Sequence, residues 1–135
     1  TSFTIRWFGS SNVYCLWRIV MATDFQTKSV VNVPELASIT DLTPVYTAGE
    51  VTVHAIYVSN KHTGDVHFYL QLRDGGNNNK GYILYNTVVP AQSSLVIEKP
   101  INLTASDTSA DQRKLSIYAS AEEKLDVVAS VLVIT

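Results

Sequence analysis

The sequence predicts an all-β protein, an antiparallel, jelly-roll-like β-sandwich of seven to eight strands. Runs rich in Val, Ile, Tyr and Phe are separated by turn residues about every eight to twelve residues, and no stretch keeps a helical period. Apolar residues make up 46% of the chain and charged residues 16%, which favours a packed core over disorder. The 135-residue length predicts one sandwich domain, assigned to residues 21–135.

Residues 50–73 carry the clearest strand pattern. In the second half, Val66, Phe68 and Leu70 alternate with polar residues, so one face of that strand is expected to be buried. The first half is apolar on both faces and is expected to be more deeply buried. A polar stretch containing Gly64 separates the two halves, and this pattern predicts a β-hairpin.

The other strands follow from the same pattern. A final strand that is apolar on both faces is expected inside a sheet rather than at its edge. The predicted strands are 28–33, 81–89, 95–98, 100–103, 114–121 and 125–134, with 43–47 extended around a proline. The predicted core comprises Val51, Val53, Phe68, Leu70, Leu84, Ile97, Leu115, Ile117, Val128 and Leu132.

The first twenty residues differ from the rest. They hold both tryptophans and the single cysteine, contain no acidic residue, and precede Met21, the only methionine. Trp17-Arg18 can be encoded as TGGAGG, a purine-rich ribosome-binding sequence shortly before the Met21 codon. We interpret residues 1–20 as a translated, non-native leader; the alternative is an N-terminal arm that packs on a neighbour through its aromatic residues.

Composition argues against several partners. The formal net charge is −2 without a basic patch, so nucleic acid is not an expected partner. No apolar run reaches the length of a membrane span, and no segment has the order of a signal peptide. Cys15, being single, cannot form an intrachain disulfide.

Candidate chemistry is weak throughout the sequence. The three histidines are not expected to converge on a metal, because His54 and His67 are not neighbours in the predicted hairpin and His62 lies in its loop. The segment from Asp74 resembles the start of a calcium loop, but Tyr85 stands where a bidentate Glu is required. No nucleophile elbow occurs. We therefore expect no catalytic site, metal or cofactor.

Aromatic residues give the best indication of a contact surface. Tyrosines recur on the less apolar strand faces, where they suit a protein interface or stacking against sugars. The predicted interface is the polar face of the second strand, His67, Tyr69, Gln71 and Arg73. The predicted rim loop is expected at one end of the sandwich, free of that face, and includes Asp74, Asn77, Asn78 and Asn79.

Several segments resemble a family of small virion structural proteins of tailed phages. The matching pieces are YTAGE (46–50), VHAIYVSN (53–60), VVPAQSSL (88–95), KPINL (99–103) and ASAEEKLDVVAS (119–130). The chain departs from the family at residues 104–107, where a Gly-Asp turn is common. Members are head-decoration, neck or tail components, so the resemblance implies a non-enzymatic virion protein that assembles in the host cytoplasm.

Two function hypotheses follow. The first is a phage virion structural protein, a capsid decoration or tail or neck component, that forms a dimer or trimer or docks on other virion proteins. The alternative is a β-sandwich module that binds carbohydrate or a receptor through exposed tyrosines and the polar 74–80 loop. A small hydrolase is disfavoured because no acid, base and nucleophile converge.

Overall fold

Ten strands form two antiparallel sheets within residues 2–4 and 20–135, the residues that the computed structural model describes. The strands are β1 (Ser2–Thr4), β2 (Val20–Val30), β3 (Thr40–Asp41), β4 (Glu50–Asn60), β5 (Val66–Arg73), β6 (Asn79–Val89), β7 (Ser94–Ile97), β8 (Ile101–Leu103), β9 (Lys114–Ala119) and β10 (Leu125–Ile134). A short 3-10 helix covers Leu36–Ser38. Most of the predicted leader, residues 1 and 5–19, lies outside the described residues, so that interpretation stays a prediction.

The strand order is that of a jelly roll. One sheet has the order β1-β2-β10-β4-β7, with β8 also paired to β4, and the other has the order β3-β9-β5-β6. The chain passes repeatedly from one sheet to the other, which is how a jelly roll folds eight strands into two packed sheets. The predicted all-β antiparallel sandwich is confirmed. More strands are found than the seven to eight predicted, because the very short β1 and β3 were not recognised.

The predicted hairpin over residues 50–73 is wrong. β4 pairs with β10, β7 and β8, whereas β5 pairs with β6 and β9 in the opposite sheet. The turn between them is an arch that crosses the sandwich. Asn60 organises the arch: its amide donates to the carbonyls of Val89 (2.9 Å), Gly64 (3.0 Å) and Pro90 (3.2 Å), and its Oδ1 accepts from the His62 amide (2.8 Å).

A β-bulge explains why β4 is apolar on both faces in the sequence. Ala55 pairs with Ser130 and Val53 with Val131, so His54 has no opposite residue on β10. The extra residue shifts the side-chain alternation by one position. Val53 and Ile56 therefore both point into the core, although the sequence places them on opposite faces.

The prediction for the last strand is wrong about which of its two faces is buried. β10 lies inside its sheet between β2 and β4, as predicted, but it buries Leu125, Val127, Ala129, Val131 and Val133. Two residues predicted for the core, Val128 and Leu132, point outward, and Val128 is 39% exposed. A one-residue shift in phase exchanges the two faces of a strand, and apolar residues on both faces leave the phase undetermined by sequence.

The core lies between the two sheets. Six of the other predicted core residues are fully buried, and Leu84 and Ile97 pack partly buried against them. Two predicted segments differ from the structure. Of the strand predicted at 28–33, only residues 28–30 are strand, as the end of the longer β2, and 43–47 is not a strand. Thr43 is buried there, and its hydroxyl accepts a hydrogen bond from the Leu115 amide at 3.0 Å.

Phe68 is the largest fully buried side chain of the described residues. We expect Phe68→Ala to lower the free energy of unfolding by about 3–5 kcal/mol, because the truncation removes apolar burial and leaves a cavity. Urea unfolding checks this, with Val31→Ala as the control, because Val31 is 67% exposed. Equal losses in the two variants would contradict the assignment of Phe68 to the core.

The Asn60 arch gives a second stability prediction. Asn60→Ala removes the donor shared by three carbonyl oxygens, and we expect a loss of about 1–3 kcal/mol. Asn102→Ala is the matched control, because Asn102 Oδ1 accepts an exposed hydrogen bond from the Thr52 hydroxyl and is not buried. A cost at Asn60 no larger than that at Asn102 would show that the arch does not depend on this side chain.

Candidate functional site

The predicted interface residues do lie on one face, the outer face of the four-stranded sheet. β5 buries Val66, Phe68 and Leu70 on its inner side, which leaves His67, Tyr69, Gln71 and Arg73 for the outer side. The four side chains are not equally available: Gln71 is only 7% exposed, and the Arg73 guanidinium donates to the Asn77 carbonyl at 3.1 Å. Their role as an interface stays a prediction.

Four tyrosines from three neighbouring strands form a cluster on this face. Tyr69 and Tyr118 are stacked, with ring centroids 4.5 Å apart and planes inclined by 8°. Tyr85 stands edge-on to Tyr69 at 5.2 Å and to Tyr82 at 4.8 Å. Such aromatic pairs add stability beyond that of the buried area. We call Tyr69, Tyr82, Tyr85 and Tyr118 the tyrosine cluster.

Hydrogen bonds fix the rings of the tyrosine cluster. The hydroxyls of Tyr82 and Tyr118 are 2.7 Å apart, and Tyr69 donates to Asn86 Oδ1 at 2.8 Å. Burial raises the pKa of Tyr118, and the hydrogen bond to Tyr82 raises it further. Tyr118 is 6% exposed, whereas Tyr82 is 36% and Tyr85 is 66% exposed. The cluster therefore presents an aromatic surface in which three of the four hydroxyls are held by hydrogen bonds.

A shallow pocket of about 300 Å³ lies between the tyrosine cluster and the segment that precedes the 3-10 helix. Its lining includes Glu35, Leu36, Tyr69, Tyr85, Tyr118 and Ser120. The segment is held in place from both sides, because the Ala119 amide donates to the Pro34 carbonyl (2.9 Å) and the Val33 amide to the Leu125 carbonyl (2.8 Å). We call this the tyrosine pocket. Sequence analysis found its tyrosines but not Glu35 or Leu36, which are distant in the chain.

The predicted rim loop is tightly organised around Asp74. The Asp74 carboxylate accepts hydrogen bonds from the amides of Gly76 (2.8 Å) and Asn78 (2.9 Å), and Lys80 Nζ lies 3.8 Å from Oδ2. These hydrogen bonds, led by that of the Asn78 amide, hold the pKa of Asp74 below its ordinary value. Asn79, predicted for the loop, begins β6.

A buried lysine ties the rim loop to the sheet. Lys114 Nζ donates to Asn77 Oδ1 at 2.6 Å and pairs with Asp41 Oδ2 at 2.8 Å. The other oxygen of Asp41 accepts from the Ser116 hydroxyl at 2.8 Å. The lysine side chain is 8% exposed, so these partners replace the water that its ammonium group loses on burial. These contacts fix the rim loop against the sheet.

The outer face of the six-stranded sheet is a second candidate surface, which sequence analysis did not identify. Val96, Tyr57 and Val128 are direct cross-strand neighbours on β7, β4 and β10, and they are 42%, 46% and 39% exposed. Further along the same face, Leu132 of β10 pairs with Phe25 of β2, which is 72% exposed. We call these five residues the apolar face.

Among the described residues, no charged side chain occupies the paired outward positions between the two ends of the apolar face. The paired residues between the two apolar groups are Ala55, Ser130 and Thr27, and the exposed bulge residue His54 lies beside Ala55. Thr52 pairs with Asn102 beside Leu132. Charges occur at the ends: Lys61 and Asp126 form an ion pair of 3.0 Å at one end, and Glu50 lies at the other. An exposed apolar surface with charges only at its margin is typical of an interaction site.

The histidines do not converge. His54 lies on β4 and His67 on β5, in opposite sheets, and the cross-strand pairs expected for them in a hairpin do not exist. Within residues 2–4 and 20–135, no group of three His, Cys, Asp or Glu side chains is placed to hold a metal ion. In that same part of the chain, no helix is long and apolar enough to cross a membrane.

Comparisons with known proteins give a likeness of fold alone. No family model and no curated protein matches the chain. A chain from the crystal structure of the T13 particle of infectious bursal disease virus matches with a TM-score of 0.47 and 10% identity, covering 83% of this chain and 30% of that chain. A structure of the Gx strain of the same virus matches with a TM-score of 0.37 and 8% identity, covering 94% of this chain and 41% of that chain.

Neither likeness assigns a function, because both TM-scores are below 0.5 and the chain spans less than half of each matched protein. Both matches are to structures of a virus that is not a tailed phage. The resemblance to tailed-phage proteins therefore stays a prediction from the sequence motifs.

The rim loop yields a prediction of pH dependence. Because the pKa of Asp74 is lower in the folded chain, its carboxylate stabilises the fold fully above the ordinary carboxyl pKa, and this contribution is lost as pH falls through the folded-state pKa. We expect Asp74→Asn to destabilise the protein more at about pH 6 than at about pH 2.5 in urea unfolding.

The matched control is Asp107→Asn, since the Asp107 side chain is exposed and has no partner among the described residues. A difference between wild type and Asp74→Asn that stays constant with pH would show that the Asp74 charge does not stabilise the loop.

Proposed function

We propose that the chain is a non-enzymatic structural protein of a virion, a capsid decoration or tail or neck component of a tailed phage, that acts by self-association. The observation that carries this proposal is the apolar face of the six-stranded sheet. Its partners would be further copies, as a dimer or trimer, and other virion proteins. Its place would be the virion, and the host cytoplasm during assembly.

The fold supports this proposal without deciding it. Jelly rolls occur in viral capsid and lectin domains, and one fold serves many functions. The tailed-phage assignment is supported by the sequence motifs, all five of which lie in or beside strands. Among them, VHAIYVSN lies in β4, KPINL lies around β8, and the last motif covers residues 125–130 of β10. These strands build the sheet that carries the apolar face, so these three motifs and the proposed contact surface belong to the same sheet.

Self-association is supported by the chemistry of the apolar face. Burying Tyr57, Val96 and Val128 on a partner would remove apolar surface from water, at about 25 cal/mol per Å². The paired residues at the centre carry no charge, since Lys61 and Asp126 lie at one end, and the exposed imidazole of His54 lies beside them at the bulge. A face that is neutral at its centre, with both signs of charge at its margin, is compatible with itself across a two-fold axis.

The predicted β5 face is the competing contact surface on the same molecule. Tyr69 and Arg73 are partly exposed there, but both already bind other residues of the chain, Asn86 and Asn77. A contact through this face would compete with those hydrogen bonds. A contact through the apolar face would not compete with these hydrogen bonds. We therefore propose the self-contact there and keep the β5 face as the alternative.

Light scattering of charge variants at micromolar concentration tests the proposal. We expect a dimer or trimer mass for the wild-type protein and a monomer mass for Tyr57→Glu and Val128→Glu, because each substitution buries a charge in the contact. Tyr69→Glu and Arg73→Glu are expected to leave the mass unchanged. Val45→Glu is the control, because it introduces the same group at a loop position of similar exposure, 37%.

Two results would contradict the proposal in different ways. A monomeric wild-type protein would exclude self-association and leave only docking on other virion proteins. An oligomer that Tyr69→Glu disrupts, while Tyr57→Glu does not, would move the contact to the β5 face.

A second candidate function is a module that binds carbohydrate or a receptor. The specific observation in its favour is the tyrosine pocket, where an exposed aromatic ring lies beside a carboxylate. This pocket and the apolar face lie on opposite sheets, so both functions are compatible in one molecule. Glycan-array screening tests this candidate, and a specific sugar bound through the pocket would support it.

A further inference from the structure

The tyrosine pocket offers one open aromatic ring. Tyr85 is 66% exposed, and its edge-on contacts with Tyr69 and Tyr82 hold it at a fixed angle to the sheet. A ring that is already held in place loses little conformational entropy when a ligand stacks on it. Tyr85 is therefore suited to binding a flat apolar surface.

Polar groups beside this ring remain available to a ligand. The Glu35 carboxylate is exposed and has no hydrogen-bond or ion-pair partner among the described residues, and it does not cap the 3-10 helix that follows. The Ser120 hydroxyl accepts from the His67 amide at 3.0 Å, so its own proton is free to be donated. The pocket thus combines a carboxylate acceptor, a hydroxyl donor and an aromatic ring.

This combination matches the surface of a neutral pyranose sugar. One side of a pyranose ring is a patch of C–H groups that packs on an aromatic ring, and its edge carries hydroxyls that donate to a carboxylate. We propose that the tyrosine pocket binds a neutral pyranose, with Tyr85 stacked on the sugar ring and Glu35 accepting two of its hydroxyls. This inference rests on the second candidate function and does not depend on self-association.

Other ligand classes fit the pocket less well. The Glu35 carboxylate would repel phosphate and acidic sugars. A quaternary ammonium requires aromatic rings arranged around the cation. Tyr69 and Tyr118 are stacked on each other at 4.5 Å and leave no space between them for a cation. Of the four tyrosines only Tyr82 and Tyr85 are exposed. The volume of about 300 Å³ is at the lower end for ligand pockets, which suits a single sugar ring.

Ligand titration followed by NMR tests this proposal on the full chain. The probes are the methyl glycosides of glucose, galactose, mannose and N-acetylglucosamine, with choline as the cationic probe. We expect at least one glycoside to bind saturably and to shift the Tyr85 ring signals. Because a single sugar ring would make few contacts, the expected Kd is about 1 mM. Choline is expected not to bind.

Variants assign the binding to the pocket. We expect Tyr85→Ala to weaken binding at least ~10-fold, Tyr85→Phe to stay within about twofold because the ring is kept, and Glu35→Gln to weaken it several-fold. Tyr57→Ala, on the opposite sheet, is the control and should bind as the wild-type protein does. Repeating the titration with Tyr57→Glu separates sugar binding from any oligomerisation.

The proposal is overturned if none of the four glycosides binds saturably, if Tyr85→Ala binds as tightly as the wild-type protein, or if choline binds in the pocket in place of the sugars. Each of these results would leave the proposed self-association untouched, because that is measured by molecular mass on variants of the other sheet.

Discussion

The crossing of the chain between the two sheets at Asn60 is the constraint on which the rest of the architecture depends. A buried carboxamide there binds three carbonyl oxygens and one amide, and so joins the end of β4 to the turn that follows β6. Because buried polar groups are costly when unpaired, this arrangement tolerates few alternatives. It sends β5 into the opposite sheet, where β9 and β6 flank it and the tyrosine cluster can form.

The sequence alone predicts the fold class, because the fold class follows from turn spacing and β-prone runs and does not depend on which strands are predicted to pair. Pairing itself was mispredicted where the local pattern is ambiguous: a Gly-containing polar stretch serves a hairpin or an arch equally well, and only the distant partners of Asn60 distinguish the two. The bulge at His54 is likewise invisible in the sequence, since it depends on how β4 pairs with β10. Strands with one apolar face, such as β5, were predicted in the correct phase.

For the candidate sites, too, the sequence indicates what depends on residue type and not what depends on strand pairing. The tyrosines were noticed because residue type alone marks them, but Glu35 and Leu36 reach the pocket only through the hydrogen bonds that anchor residues 33 and 34 to β10 and β9. The apolar face was missed for a different reason. Its members Val128 and Leu132 were assigned to the core, because a strand with apolar residues on both faces is most simply explained as doubly buried.

The apolar residues on the outer face of β10 bear on the proposed function. A strand buried on both faces needs a second layer, and within the described residues β10 has such a layer on one side only. A second copy on the apolar face would supply it, and the tyrosine pocket on the opposite sheet would stay open to solvent. Repeated copies held in a lattice would then present many weak sugar sites together, and avidity would make millimolar sites effective. If both proposals hold, the apolar face would set the number of sugar sites in the lattice, and the tyrosine pocket would set their specificity.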